Sequence, residues 1–122
     1  MESVAEAKAH VDAVSPGEVS ESALIIDVRD AADIAGTGIV PGAEAISLGT
    51  LGFKADTTMP AEMQHAALGD HDREIVVTCA LGAMASLGAK MLDDMGYTNV
   101  KYMDGGTMGW IDAGKSVDEF TA

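Results

Sequence analysis

"EIVVTCALGAMASLGAKML", residues 74–92, decides how this chain is read. A β-branched run stops at the only cysteine, Cys79, and small residues follow. Residues 74–78 read as a strand buried on both faces, the pattern of a parallel sheet. The spacing predicts a helix from Ser86 to Met95, with Leu87, Met91, Leu92 and Met95 on one side and Gly96 as the stop beyond it. Cys79 therefore stands where a strand turns toward a helix. In open parallel sheets, sites form at that carboxyl edge.

Gly82 gives the turn backbone angles closed to other residues. A short loop of this kind can aim several N–H groups inward at the start of the next helix, as an anion-binding nest. The same field favours thiolate over thiol, and so a nucleophile. The competing reading is a small buried hydrophobe, the commoner fate of a lone cysteine. C-x-x-G by itself does not choose between them.

Outward from this stretch, strands and helices alternate. Residues 3–14 read as a helix, opened by a capping box of Ser3 and Glu6 with Val4, Val11 and Val14 near one face, and closed by Ser15-Pro16-Gly17. "ALIIDV", residues 23–28, is a second buried strand, followed by a short helix over residues 30–35 and a weak strand at 44–47. A helix is expected between Pro60 and Leu68, since proline suits a first turn. "NVKYM" is a further strand, and residues 106–113 a last helix ended by Gly114. The alternation indicates an α/β domain with a mainly parallel sheet.

Composition narrows the function. The chain has 122 residues, 48% of them hydrophobic, which suits one globular domain over residues 1–122 able to bury roughly two-thirds of its unfolded surface. Seven basic residues against twenty acidic ones give a net charge of −13. Nucleic acid and anionic membrane are thereby excluded as partners, because both need clustered Lys or Arg. The acidity fits solubility or a salty cytoplasm better than a specific cationic partner. A single cysteine forms no internal disulfide, and "MESVAEAKAH" lacks the layout of a signal peptide, so a cytoplasmic location is expected. His10, His65 and His71 show no ligand spacing, so no metal is expected.

Read together, the pieces resemble a known family. "LIIDVRDAADIAGTGIVPGA" resembles the opening of rhodanese-like domains: an apolar strand ending in D-V-R, a short acidic helix and a G-x-(I/V)-P-G-A turn. "EIVVTCALGAMASLGAKMLDDMGYTNVKYMDGG" resembles their active-site strand, loop, helix and return strand, and "GGTMGWIDAG" is similar to their closing segment. The resemblance runs in order over residues 23–114. It implies a five-stranded, mainly parallel sheet with helices on both faces. It also implies a sulfurtransferase needing no cofactor, in which Cys79 takes a sulfane sulfur from a donor such as thiosulfate or a persulfide, small or protein-bound. The Cys79 persulfide then passes that sulfur to a thiophilic acceptor.

By the same matching, Ala80, Leu81, Gly82, Ala83 and Met84 form the substrate-binding loop and supply N–H donors, with Met84 facing the pocket mouth. Ser86 opens the helix behind, where it caps the helix or reaches the loop, capping being the commoner role. Asp27 and Arg29 either orient loops near the site or form a buried ion pair that anchors the fold, the reading favoured here. Gly105, Gly106 and Trp110 are assigned to packing.

One departure from the family is chemically large. Many members end the loop with arginine; here Met84 occupies that position, and no arginine follows Arg73. The loss of a bidentate oxyanion clamp argues against thiosulfate and for a less charged donor. It also keeps open an alternative: a rhodanese-like binding or regulatory module without useful turnover, or a protein sulfur carrier. Cysteine phosphatases of related fold need C-x5-R, and six residues past Cys79 stands Ala85. Phosphatase chemistry is not expected.

Overall fold

A computed structural model describes residues 2–122. Strands β1 (Asp12–Val14), β2 (Leu24–Asp27), β3 (Glu44–Ala45), β4 (Ile75–Thr78) and β5 (Val100–Met103) form one sheet in the order β1-β5-β4-β2-β3. Every pairing is parallel, so the mainly parallel sheet expected from the sequence is parallel throughout. The helices are α1 (Val4–His10), α2 (Ala31–Thr37), α3 (Leu48–Ala55), α4 (Ala83–Asp94) and α5 (Gly106–Asp112).

Side chains alternate across a strand, and here the alternation separates two cores. Leu24, Ile26, Ile75 and Val77 point to one face, where they pack with Leu51 and Ala55 of α3 and Ala85, Ala89 and Leu92 of α4. Ile25 and Val76 point to the other, with Val40, Met103 and Trp110 of α5. Both central strands are fully buried, which is why they read as unbroken apolar runs.

The N-terminal helix is shorter than expected. Its capping box is present: the Ser3 hydroxyl accepts from the Glu6 amide at 3.1 Å, and the Glu6 carboxylate accepts from the Ser3 amide at 3.3 Å. The helix ends at His10, and residues 12–14 become β1, paired with β5 from Asp12–Lys101 to Val14–Met103. Val11 is extended at φ −123° and buried, so the valines assigned to one helix face belong partly to a strand entering the open edge beside β5.

The middle of the chain differs more. The helix expected between Pro60 and Leu68 is a single 3-10 turn, Ala61–Met63. Only Leu68 is buried there and Met63 is exposed, so that stretch has no apolar stripe to dock a longer helix. The helix lies earlier, as α3, where Leu51 and Ala55 are buried against the sheet. The last helix and the strands at 23–28, 44–47, 74–78 and 99–103 fall where expected, to within one or two residues.

Candidate active site

β4 is the central strand. The chain leaves β2 toward β3 on one side and leaves β4 toward β5 on the other, so the carboxyl ends of β2 and β4 flank a topological switch point. Cys79 is the first residue past β4. α4 begins at Ala83, three residues before the expected start, so Ala80–Gly82 are loop while Ala83 and Met84 form the helix's first turn.

The loop is shaped from behind. The Thr107 amide donates to the Cys79 carbonyl at 2.8 Å and the Met108 amide to the Ala80 carbonyl at 3.0 Å. These are first-turn amides of α5, which have no partner inside their own helix. Gly106 makes the approach possible: its φ is +62°, and a Cβ there would lie 2.6 Å from the Ala80 oxygen and 2.8 Å from the Cys79 oxygen. The Thr78 and Thr107 hydroxyls, 3.1 Å apart and buried, join the same two elements.

Two amides further along the turn bond the sulfur. The Gly82 N–H donates to Cys79 Sγ at 3.1 Å and the Ala85 N–H at 3.3 Å, at the positive end of α4. Gly82 holds φ +107° to do so. Of the five loop residues expected to supply donors, Gly82 alone bonds the sulfur. The second donor, Ala85, was outside the expected set, since a backbone amide leaves no mark in residue type. The amides of Ala80, Leu81, Ala83 and Met84 have no acceptor among the described residues. They remain free for a ligand.

Cys79 is buried, with 2% of its surface exposed, whereas Leu81 of the same loop is 70% and Met84 of the following turn 40% exposed. Met84 reaches solvent beside the loop. Ser86 does not open the helix. It is buried one turn inside, where its hydroxyl donates to the Ala83 carbonyl at 2.7 Å, and the N-cap is Gly82. It neither caps the helix nor reaches the sulfur.

Asp27 and Arg29 form the buried pair. Asp27 Oδ2 accepts from Arg29 Nη2 at 2.7 Å, and Oδ1 accepts from Nε at 3.0 Å and from the Arg29 amide at 3.1 Å. The guanidinium also donates to Thr37 Oγ1 and the Gly38 carbonyl, tying the end of β2 to the end of α2. Four of its five N–H donors are spent on the fold, which leaves Arg29 no fork with which to clamp an anion at Cys79. His10 bonds the Glu6 carbonyl, His71 packs on Tyr97, and His65 lies 3.6 Å from Glu44; none of them bonds Cys79.

The rhodanese-like domain family matches residues 3–113. The chain belongs to the rhodanese-like family. Among solved structures, this rhodanese-like chain is similar to a Rhodopseudomonas palustris protein of unknown function described as a possible tyrosine phosphatase. The TM-score is 0.86 and the identity 27%, over 94% of this chain and 90% of that one. It is similar to the human single-domain sulfurtransferase TSTD1 at TM-score 0.70 and 26% identity, over 84% and 96%. A third match is reduced Bacillus anthracis CoADR-RHD, with TM-score 0.65 and 28% identity over 82% of this chain and 16% of that one. No curated protein matches the chain. The loop of this rhodanese-like domain carries no charged side chain between Cys79 and Ser86.

Proposed function

We propose that the protein is a sulfurtransferase working through a persulfide on Cys79, with a persulfide or other low-charge sulfane compound as donor. The observation that carries this reading is the convergence of the Gly82 and Ala85 amides on Cys79 Sγ. The thiolate attacks the terminal sulfur of a donor R–S–SH. A new S–S bond forms on Cys79, the donor's S–S bond breaks, and the electron pair leaves on the donor as R–S⁻. An acceptor thiolate or cyanide then attacks the outer sulfur and returns Cys79 as thiolate. Negative charge passes on and off the sulfur in both steps, and preorganised amides of this kind are worth about 3 kcal/mol each where one has been removed elsewhere.

The donor class follows from the uncharged loop. Thiosulfate carries two negative charges, and neither the loop nor Arg29 offers a cation to hold them, on a chain of net charge −13. The phosphatase description of the R. palustris relative is not carried over: Ala85 stands where C-x5-R places its arginine, and its amide is bonded to the sulfur.

The test is incubation with glutathione persulfide, thiosulfate or a protein persulfide, followed by intact mass and cyanide treatment. A gain of one cyanide-labile sulfur from glutathione persulfide, absent in Cys79→Ser, supports the proposal. The missing cation favours a second reading, a sulfur carrier, and loading from the protein persulfide alone would select it. No loading from any donor would leave a binding or regulatory module and end the enzymatic reading.

A further inference from the structure

We propose that the opposite, amino edge of the sheet holds a second binding site, for a small hydroxylated organic oxyanion such as a sugar phosphate or a hydroxy acid. A cavity of about 810 Å³ lies there, beside Ala23 and Ile25 at the start of β2 and Arg73 just before β4. Cys79 is at the other end of β4. The volume is within the range of small-molecule sites and far exceeds what an inorganic anion fills.

Two cations border the cavity. Only seven lysines and arginines offset twenty acidic residues. Arg29 is committed to Asp27, and Lys90 to Asp94 and Glu2. Lys8, Lys54, Arg73, Lys101 and Lys115 form no ion pair among the described residues, and of these five Arg73 and Lys115 line this cavity. Arginine presents a planar fork suited to carboxylate or phosphate, and lysine a point charge beside it.

Lys115 is held ready. Its ammonium lies 4.8 Å from the Trp110 ring centroid, a cation–π contact, and the indole is fixed by its own N–H donating to the Ser116 carbonyl at 2.8 Å. Ser20 and Ser22 supply hydroxyl chemistry on the same wall. Their oxygens are 2.9 Å apart and the Ser22 amide donates to Ser20 Oγ, so one hydroxyl proton is spent between them and one remains to donate. Glu21 also lines the cavity. Its carboxylate repels a bare anion and accepts from hydroxyl groups, which selects a ligand bearing both.

Trp110 is the only tryptophan, so its fluorescence reports this wall directly. The probes are glucose 6-phosphate, malate and inorganic phosphate, titrated to about 10 mM, a range that reads affinities of order 4 kcal/mol and tighter. The expected result is a saturable change with glucose 6-phosphate or malate that weakens about tenfold in Arg73→Ala and in Lys115→Ala, and is unchanged in Cys79→Ser. Four outcomes overturn the proposal: no saturable change with either organic probe; equal affinity for inorganic phosphate; indifference to both cation variants; or loss of binding in Cys79→Ser. The site is independent of the sulfur chemistry, so a protein that fails to load sulfur would still bind here.

Discussion

The Thr107 amide donates to the Cys79 carbonyl at 2.8 Å, so the helix that follows β5 sets the backbone of the loop that follows β4. The peptide planes held in this way are those carrying the Ala80 and Leu81 amides, the first two N–H groups of the loop. The packing role assigned to Gly106 from sequence is thus also a role in orienting the site, through the contact its missing Cβ permits.

Gly106→Ala tests that coupling. The added carbon meets two loop carbonyl groups and must also hold φ near +62°. The expected cost is about 2–4 kcal/mol of stability, from the left-handed backbone and the two strained hydrogen bonds. Persulfide formation should fall at least about tenfold in the fraction that stays folded. Urea unfolding and loading measured on the same sample separate the two effects. Loading at the wild-type rate would show that the clasp does not position the amides.

Met84→Arg places a cation at the position where the sequence resemblance leads one to expect it. Met84 is exposed, so the fold should change by less than about 0.5 kcal/mol. The kcat/KM for thiosulfate should rise about tenfold or more, and that for glutathione persulfide should move less than about twofold. Equal gains with both donors would mean that charge at the loop does not set donor choice.

Salt should act in the same direction on the wild type. With a net charge of −13, the protein repels a dianion over distances near the Debye length, about 30 Å at 0.01 M and 8 Å at 0.15 M ionic strength. Any thiosulfate kcat/KM should therefore climb with added salt. A flat profile in steady-state assays would remove long-range repulsion as the limit.

Arg29→Ala leaves Asp27 buried without its partner and should cost about 3–5 kcal/mol. Replacing both, Asp27→Leu with Arg29→Met, should recover most of that loss in denaturant melts, because two apolar side chains need no pairing. A double variant no more stable than the single would assign the loss to Thr37 and Gly38, the other partners of the guanidinium.

Alkaline stability should depend on Tyr97. Burial, with a smaller contribution from the Asp56 charge, raises its hydroxyl above the usual 10.0. The folded state then holds the proton that the unfolded chain releases, so the stability Tyr97 contributes is complete below the usual value. It is lost as pH climbs from there through the folded value. Tyr97→Phe should flatten the profile above pH 10 and cost about 1 kcal/mol at neutral pH, since its hydroxyl donates to the Ala55 carbonyl at 2.8 Å. Melts across the alkaline range read both.

The parts of the chain legible in sequence are those where one signal dominates. β2 and β4 are apolar without interruption because they are buried on both faces, and Ser3 with Glu6 spells out a cap in side chains. β1 was hidden because Asp12 and Ala13 are exposed and Val14 half-buried, so the three gain their strand only from the β5 edge. α3 was hidden because Gly49 and Gly52 weaken its propensity, and its burial of Leu51 supplies what propensity lacks. At the site, Cys79 and Gly82 could be found from residue type. The Ala85 donor and the α5 clasp are main-chain features, and Ser86 was misplaced because the helix begins at a glycine rather than at a side-chain cap.

The sheet ends in strands of three residues on one side and two on the other. A second copy seeking to lengthen it would find almost no run of unpaired backbone to copy, with Asp12 and Glu44 adding repulsion at those rims. The molecule's defence against fibrillar association is therefore built into how little of each border it leaves open.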